Sequence, residues 1–259
     1  MRDYLLFTLA APMASFGGLA VGERRPSDNR PTKSQIVGLV ASALGITRAE
    51  EDRQLALAGS LGFAVRVDDP GLSASDYHTA ETAKEPSIRR RARTHGALST
   101  RRDELLCDDR KTILSMREYR TGVLAVVVLW LRQGGPATLD QIRDGLRTPG
   151  FVLFSGRKSF PLMLPCRPQV HAAATVEAAL DCYDDSRSAD LRRFESDCLG
   201  GRLPRRNTAA MLYADADAAL AGATARIETR RDEPETRTKW RFGLRDERVL
   251  AAPPTEGTT

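Results

Sequence analysis

Residues 123–131 read Val-Leu-Ala-Val-Val-Val-Leu-Trp-Leu, nine apolar residues without a polar break. A strand buried on both faces of a sheet has this character, because neither of its faces meets water. The run is well short of the roughly 20 residues a helix needs to cross a bilayer. It therefore reads as the centre of a sheet for which the rest of the chain supplies neighbours. A hydrophobic content of 41% in 259 residues is enough for one large domain or two small ones. Aromatic residues make up only 6%, so the core must rest on Leu, Val and Ala.

Residues 4–11 read as a strand rich in Leu and Phe, ended by Pro12. A loop carrying glycines and Arg24, Arg25 and Arg30 follows. Over 34–44, Ile36, Val37, Val40, Ala43 and Leu44 share one helical face, with Thr32 or Ser34 as cap and Gly45 as stop. A shorter helix is expected over 47–58 and an alternating strand over 61–67. Residues 70–112 lose periodicity, and order returns at 113–119. Thr138 or Asp140 opens a helix that Pro149 ends, and 151–154 reads as a short strand. Without the insert and the short second helix, the order is strand, helix, strand, strand, helix, strand. That is the split βαβ or ferredoxin-like order. RNA recognition modules share it and present a four-stranded sheet to RNA.

The expected fold class is α+β. A ferredoxin-like (RRM-like) domain spans 1–165 with a long thumb insertion over about 76–119. A smaller β-rich C-terminal region spans 166–250, with strands at 208–214 and 223–231, and 251–259 is a disordered tail. The Ala/Asp/Arg-rich stretch 172–200 does not choose between helix and loop.

The formal charge of +5 suits an acidic partner such as nucleic acid. It is unevenly spread: Lys84, Arg89, Arg90, Arg91, Arg93, Arg101, Arg102, Arg110 and Lys111 fall within 84–111. Such a segment either neutralises phosphates or is a solvated charge run. Its flanks, Asp76-Tyr77-His78-Thr79 and Met116-Arg117-Glu118-Tyr119, read as two legs of a β-hairpin. Its middle shows no apolar face, so its order is expected to come from a partner.

Gly156-Arg157-Lys158-Ser159 is no phosphate loop of the NTPase kind, since Phe151 and Arg157 stand where Gly and Lys are needed. As a tight turn with two cations it is either a phosphate contact or a solvated turn. Pro31-Thr32-Lys33-Ser34 lies at a helix start, where N–H groups attract anions, or is an ordinary cap. Lys33, Ser34, Arg157 and Lys158 are expected to form one phosphate-binding surface.

Other chemistry finds little support. Cys107, Cys166, Cys182 and Cys198 lack zinc or redox spacing and read as free thiols of a reducing compartment. No metal or cofactor is expected. His78 beside Tyr77 and near Lys84 suits metal-free RNA cleavage, although a lone His is more often structural or stacks on RNA. No serine or cysteine nucleophile motif occurs. Asp3 and the short apolar run behind it argue against a signal peptide, so the chain reads as soluble and cytoplasmic, without a membrane partner.

Several short motifs, in order, resemble one family. They are Tyr4-Leu5-Leu6-Phe7-Thr8-Leu9-Ala10-Ala11-Pro12-Met13, Pro31-Thr32-Lys33-Ser34 with Gly38-Leu39 and Ala43-Leu44-Gly45-Ile46, Phe63-Ala64-Val65-Arg66, Asp76-Tyr77-His78-Thr79, Arg117-Glu118-Tyr119, Gly156-Arg157-Lys158-Ser159-Phe160-Pro161-Leu162 and Arg231-Asp232-Glu233-Pro234. Together they resemble the CasD family of type I-E CRISPR Cascade subunits. Ala11 departs from the family's Gly-Pro-Met, and 170–207 matches least.

The resemblance implies a non-catalytic subunit of a ribonucleoprotein used in antiviral defence. It would bind and cap the 5′ handle of crRNA, contact the CasC backbone and CasA large subunits, and reach target DNA through the assembled complex. Lys33, Ser34, Tyr77, His78, Arg89, Arg90, Arg91, Arg117, Arg157, Lys158 and Ser159 are the expected RNA contacts. Type I-C relatives cut precursor crRNA themselves, which makes a metal-independent endoribonuclease the runner-up. A stand-alone RNA-binding protein is the third reading.

Overall fold

The structure, a computed structural model, describes residues 1–18, 20, 22–132, 134–163, 165–186, 210–236 and 241–251. Strand β1 (Arg2–Ala14) does not stop at Pro12 as expected. Its outer neighbour pairs only with Arg2–Leu6, so the N–H that Pro12 lacks costs no bond on that side. The two-residue β2 (Arg24–Arg25) precedes α1 (Lys33–Ala43), whose Thr32 cap accepts a hydrogen bond from the Gln35 N–H. Gly45, at φ 70°, turns the chain out of the helix. Then come α2 (Glu51–Ser60), β3 (Leu61–Asp69), β4 (Leu72–Ala83), α3 (Glu85–His95) and α4 (Arg101–Leu105). The runs 113–119 and 123–131 are one strand, β5 (Arg110–Leu131). Helix α5 (Leu139–Arg147) opens on a capping box of Thr138 and Gln141. After it come β6 (Gln169–Ala173), a helix α6 over 176–186, β7 (Met211–Asp215), β8 (Arg226–Thr236) and β9 (Arg241–Ala251).

The sheet has the order β6-β1-β5-β3-β7-β9-β8, with β2 and β4 pairing the outer half of β5. All pairings are antiparallel except β2 with β5. The expected strand at 151–154 is corrected. Only an isolated bridge, Phe154 to Pro161, forms there, and the strand beside β1 is β6. The backbone of 150–151 is committed elsewhere: the Gly150 and Phe151 N–H groups donate to the carbonyls of Ala43 and Ser42 at the end of α1.

Alternation along β1 and β5 explains the unbroken apolar run. Leu5, Phe7, Leu9, Val123, Ala125 and Val127 pack beneath α1, α2 and α5. Tyr4, Leu6, Val126, Val128 and Trp130 point the other way, onto Val176, Ala179, Leu180 and Tyr183 of α6. Trp130 is fully buried, and a Cβ on Gly62 would lie 2.0 Å from its indole, so the cross-strand position must be glycine. The Thr8 hydroxyl meets the Tyr183 hydroxyl at 2.9 Å. Because α6 covers this face, these strands do not offer RNA the open sheet that recognition modules use.

β4 and the outer half of β5 pair continuously from Leu72↔Thr121 to Ala83↔Arg110, forming an arm. Its middle is not without local order, contrary to expectation. Pro86 opens α3, Thr100 and Asp103 form a capping box for α4, and Ala83, Ser87 and Cys107 are buried between them. Expectations for 187–209 and 252–259, and Cys198, lie outside the described residues.

Candidate nucleic-acid interface

Lys33 does not face solvent. Its side chain is 1% exposed, and its ammonium lies 2.7 Å from Glu233 and 3.1 Å from Asp215. Its backbone N–H, the first of α1, donates to Asp232 at 2.8 Å. The expectation that this charge meets a phosphate is revised: helix start and cation are held by the chain's own carboxylates. Around them lies a network that sequence reasoning missed. Arg245 reaches Asp232, Asp215 and Glu247 at 2.7–2.9 Å, and Arg30 reaches Glu247 and Glu228. Burial opposes charge at Arg245, but these carboxylates outweigh it and raise its pKa. At Asp232, burial is outweighed by Arg245 and the Lys33 N–H, so its carboxyl sits below the usual range. On the opposite sheet face, Arg66 is buried between Asp68 and Asp184.

The cations at the root of the arm are placed differently. Arg117 pairs across the hairpin with Asp76 and in parallel register with Arg25 of β2. Side chains alternate between strand faces, so Arg25, Asp76, His78, Arg117 and Tyr119 share one face. The 155–160 turn docks on that face. The Arg157 guanidinium donates to the Glu118 carbonyl at 2.8 Å and lies 5.2 Å from the centre of the Phe160 ring, which in turn leans on Tyr119. Gly156 makes the turn possible: its φ is 86°, and a Cβ there would lie 2.0 Å from the Ser15 carbonyl. Burial and then the repulsion of Arg117 lower the pKa of Arg157. Among the ion pairs of the described residues, none uses Arg25, Arg117 or Arg157. Lys158 and Ser159 are exposed beside them.

Ser34 and Gly156 both line a cleft of about 710 Å³ between α1, residues 46–54 and residues 153–156. Gln35 donates to the Ser155 hydroxyl at its wall. The cleft runs from the helix start to Gly156, but none of the three expected cations, Lys33, Arg157 and Lys158, lines it.

The remaining expected contacts divide. Tyr77 is 64% exposed on the other face of the arm, across from Met116, where Arg24 is neutralised by Glu118 at 2.6 Å. Arg89 and Arg90 are exposed on α3, Arg89 pairing with Glu85, while Arg91 turns inward to the Leu106 carbonyl. His78 lies 3.8 Å from Asp76. That is too long for a hydrogen bond. The thiols of Cys107 and Cys166 are buried and that of Cys182 is exposed; all three are free, and burial pushes Cys166 up to about 12. Among the described residues there is no cluster suited to a metal, and no helix is long and apolar enough to cross a membrane.

Comparison with known proteins bears on this arrangement. The family model described as CRISPR-associated protein (Cas_Cas5) matches residues 4–248. The "CRISPR system Cascade subunit CasD" of Escherichia coli (strain K12) is 31% identical over 184 residues, covering 71% of this chain and 78% of that protein. A solved "CRISPR RNA-guided surveillance complex" chain matches with a TM-score of 0.57 and 22% identity, over 97% of this chain and 91% of its own. A "Crystal structure of Cas protein" matches at 0.59 and 21%, over 97% and 95%. At such identities the two structures speak for the fold alone, but with the family match running through nearly the whole sequence, the chain belongs to the CRISPR-associated Cas5 family.

Proposed function

We propose that this chain is a non-catalytic, guide-RNA-binding subunit of a Cascade-type complex. It binds and caps the 5′ handle of crRNA, contacts a CasC-type backbone subunit and a CasA-type large subunit, and so supports guided binding of foreign DNA in the cytoplasm. The arm over 76–119 is the thumb of a ferredoxin-like body, whose antiparallel order is β6-β1-β5-β3. The observation that carries this reading is the carboxylate-poor cationic face at the thumb root, made by Arg25, Arg117 and Arg157 from three separate segments. Phosphates supply the missing countercharge, and the cleft beside Gly156 offers the strand a continuation. Among the described residues His78 has no hydrogen-bonded acid or base, its nearest carboxylate in the ion pairs being Asp76 at 3.8 Å, which favours holding RNA over cutting it.

The test is incubation of purified protein with its cognate repeat RNA, with and without divalent metal. Retention of intact RNA is expected. Specific cleavage that disappears on His78→Ala or Tyr77→Phe would replace this reading with that of an endoribonuclease.

A further inference from the structure

We infer that Arg117 and Arg157 form a two-guanidinium clamp for a single internucleotide phosphate, and that Arg25 takes a neighbouring phosphate on the same face. This rests on the RNA-binding reading above and gives it an address. The Arg157 guanidinium is fixed at 2.8 Å on the carbonyl of Glu118, the residue next to Arg117, and is backed by Phe160. Arg117 is exposed and steadied by its Nε donating to the Ser115 hydroxyl. Two like charges are thus brought together by backbone and ring contacts with no carboxylate in either ion-pair shell. A phosphodiester, with two free oxygens, suits two guanidinium forks at once. Asp76, His78 and Tyr119 are the other titratable groups that the strands place on this face. Asp76, across the hairpin from Arg117, accepts from the Tyr119 hydroxyl at 3.3 Å and forms no ion pair with either arginine, so one carboxylate faces three guanidiniums. Arg25 lies in register beside Arg117 but comes from another strand, and its guanidinium donates to the carbonyls of Gly22 and Arg24. It therefore stands one step along the strand of RNA. Arg24, the neighbour in sequence, points to the opposite face and is paired with Glu118.

The experiment measures the salt dependence of binding of the full chain to a labelled oligouridine. Each lost phosphate contact lowers the logarithmic salt slope by about one unit. Arg117→Ala and Arg157→Ala should each lower it by less than one, because the remaining guanidinium still partly neutralises the shared phosphate, and the double variant should lower it by about one. Arg25→Ala should lower it by about one and add to Arg157→Ala. Arg24→Ala should leave it unchanged. Arg117→Lys should restore most of the slope with poorer affinity, and unchanged melting temperatures show that the variants are folded. A drop of about two units in the Arg117/Arg157 double variant, or unchanged slopes in the single variants while RNA still binds, overturns the clamp alone. Failure of the unaltered chain to bind RNA overturns the reading on which it rests.

Discussion

The ion network beneath α1 and the root of the thumb use the same residue types to opposite ends. Under α1, Lys33, Arg30 and Arg245 are sunk among Asp215, Asp232, Glu233 and Glu247, and each of these cations is paired with a carboxylate. At the thumb root, Arg25, Arg117 and Arg157 bond to carbonyls and a hydroxyl and lean on a ring, and Asp76 on the same face forms no ion pair with any of them. A buried pair holds its own fold, because removing one member leaves an uncompensated charge. An unmatched surface cluster is free to spend its charge on a ligand. The role of a basic residue in this chain is therefore set by which segment folds against it, and not by its neighbours in sequence.

The largest effect should come from removing the thumb's outer part. Replacing 85–110 by a short Gly-Ser turn leaves the body folded, because the removed helices lie beyond the far end of the hairpin and outside both core clusters. Assembly with backbone subunits and guide RNA should fail. A shortened chain that co-purifies with a full complex would remove the thumb from the account.

Lys33→Ala should come next. Asp215 keeps Arg132 and Arg245 and Glu233 is partly exposed, so the cost stays below the about 3–5 kcal/mol of a fully orphaned buried charge and is read as a lower denaturation midpoint. Normal stability with weakened RNA binding would invert the comparison and return Lys33 to the interface.

Acid should loosen the first region through Asp232. Its folded pKa is depressed below the ordinary 3.8, so its contribution is full above that value and is lost as pH falls through the folded pKa. Melting temperature should hold from neutrality to about pH 5 and fall below about pH 4, and Asp232→Asn should flatten that fall. The smallest effect belongs to Arg24→Ala. The Arg24–Glu118 pair is largely exposed on the arginine side, and its loss should change stability by no more than about 1 kcal/mol.

Local signals were the legible ones. The α1 periodicity, its Thr32 cap and Gly45 stop, the hairpin legs around Tyr77 and Arg117, and the 156–159 turn are each written within a few neighbouring residues. The Lys33 network could not be read this way, because its partners Asp232 and Glu233 lie about 200 positions along the chain. The sequence did hold both halves, Pro31-Thr32-Lys33-Ser34 and Arg231-Asp232-Glu233-Pro234, without a sign that they meet. Helix α6 had a signal that was passed over: Val176, Ala179, Leu180 and Tyr183 follow helical spacing, and their acidic surroundings hid it. Its cover over Trp130 is what takes the sheet face away from RNA. β6 is five residues among prolines, too short for its pattern to stand out against 151–154.

The most direct test of the contrast is photo-crosslinking of bound guide RNA in the assembled complex, with the crosslinked peptides mapped by mass spectrometry. Crosslinks should fall on 24–25, 115–119 and 156–160, and the two strands that carry Asp232, Glu233 and Glu247, 226–236 and 241–251, should be free of them. Crosslinks concentrated on those two C-terminal strands, with the thumb root untouched, would contradict the account.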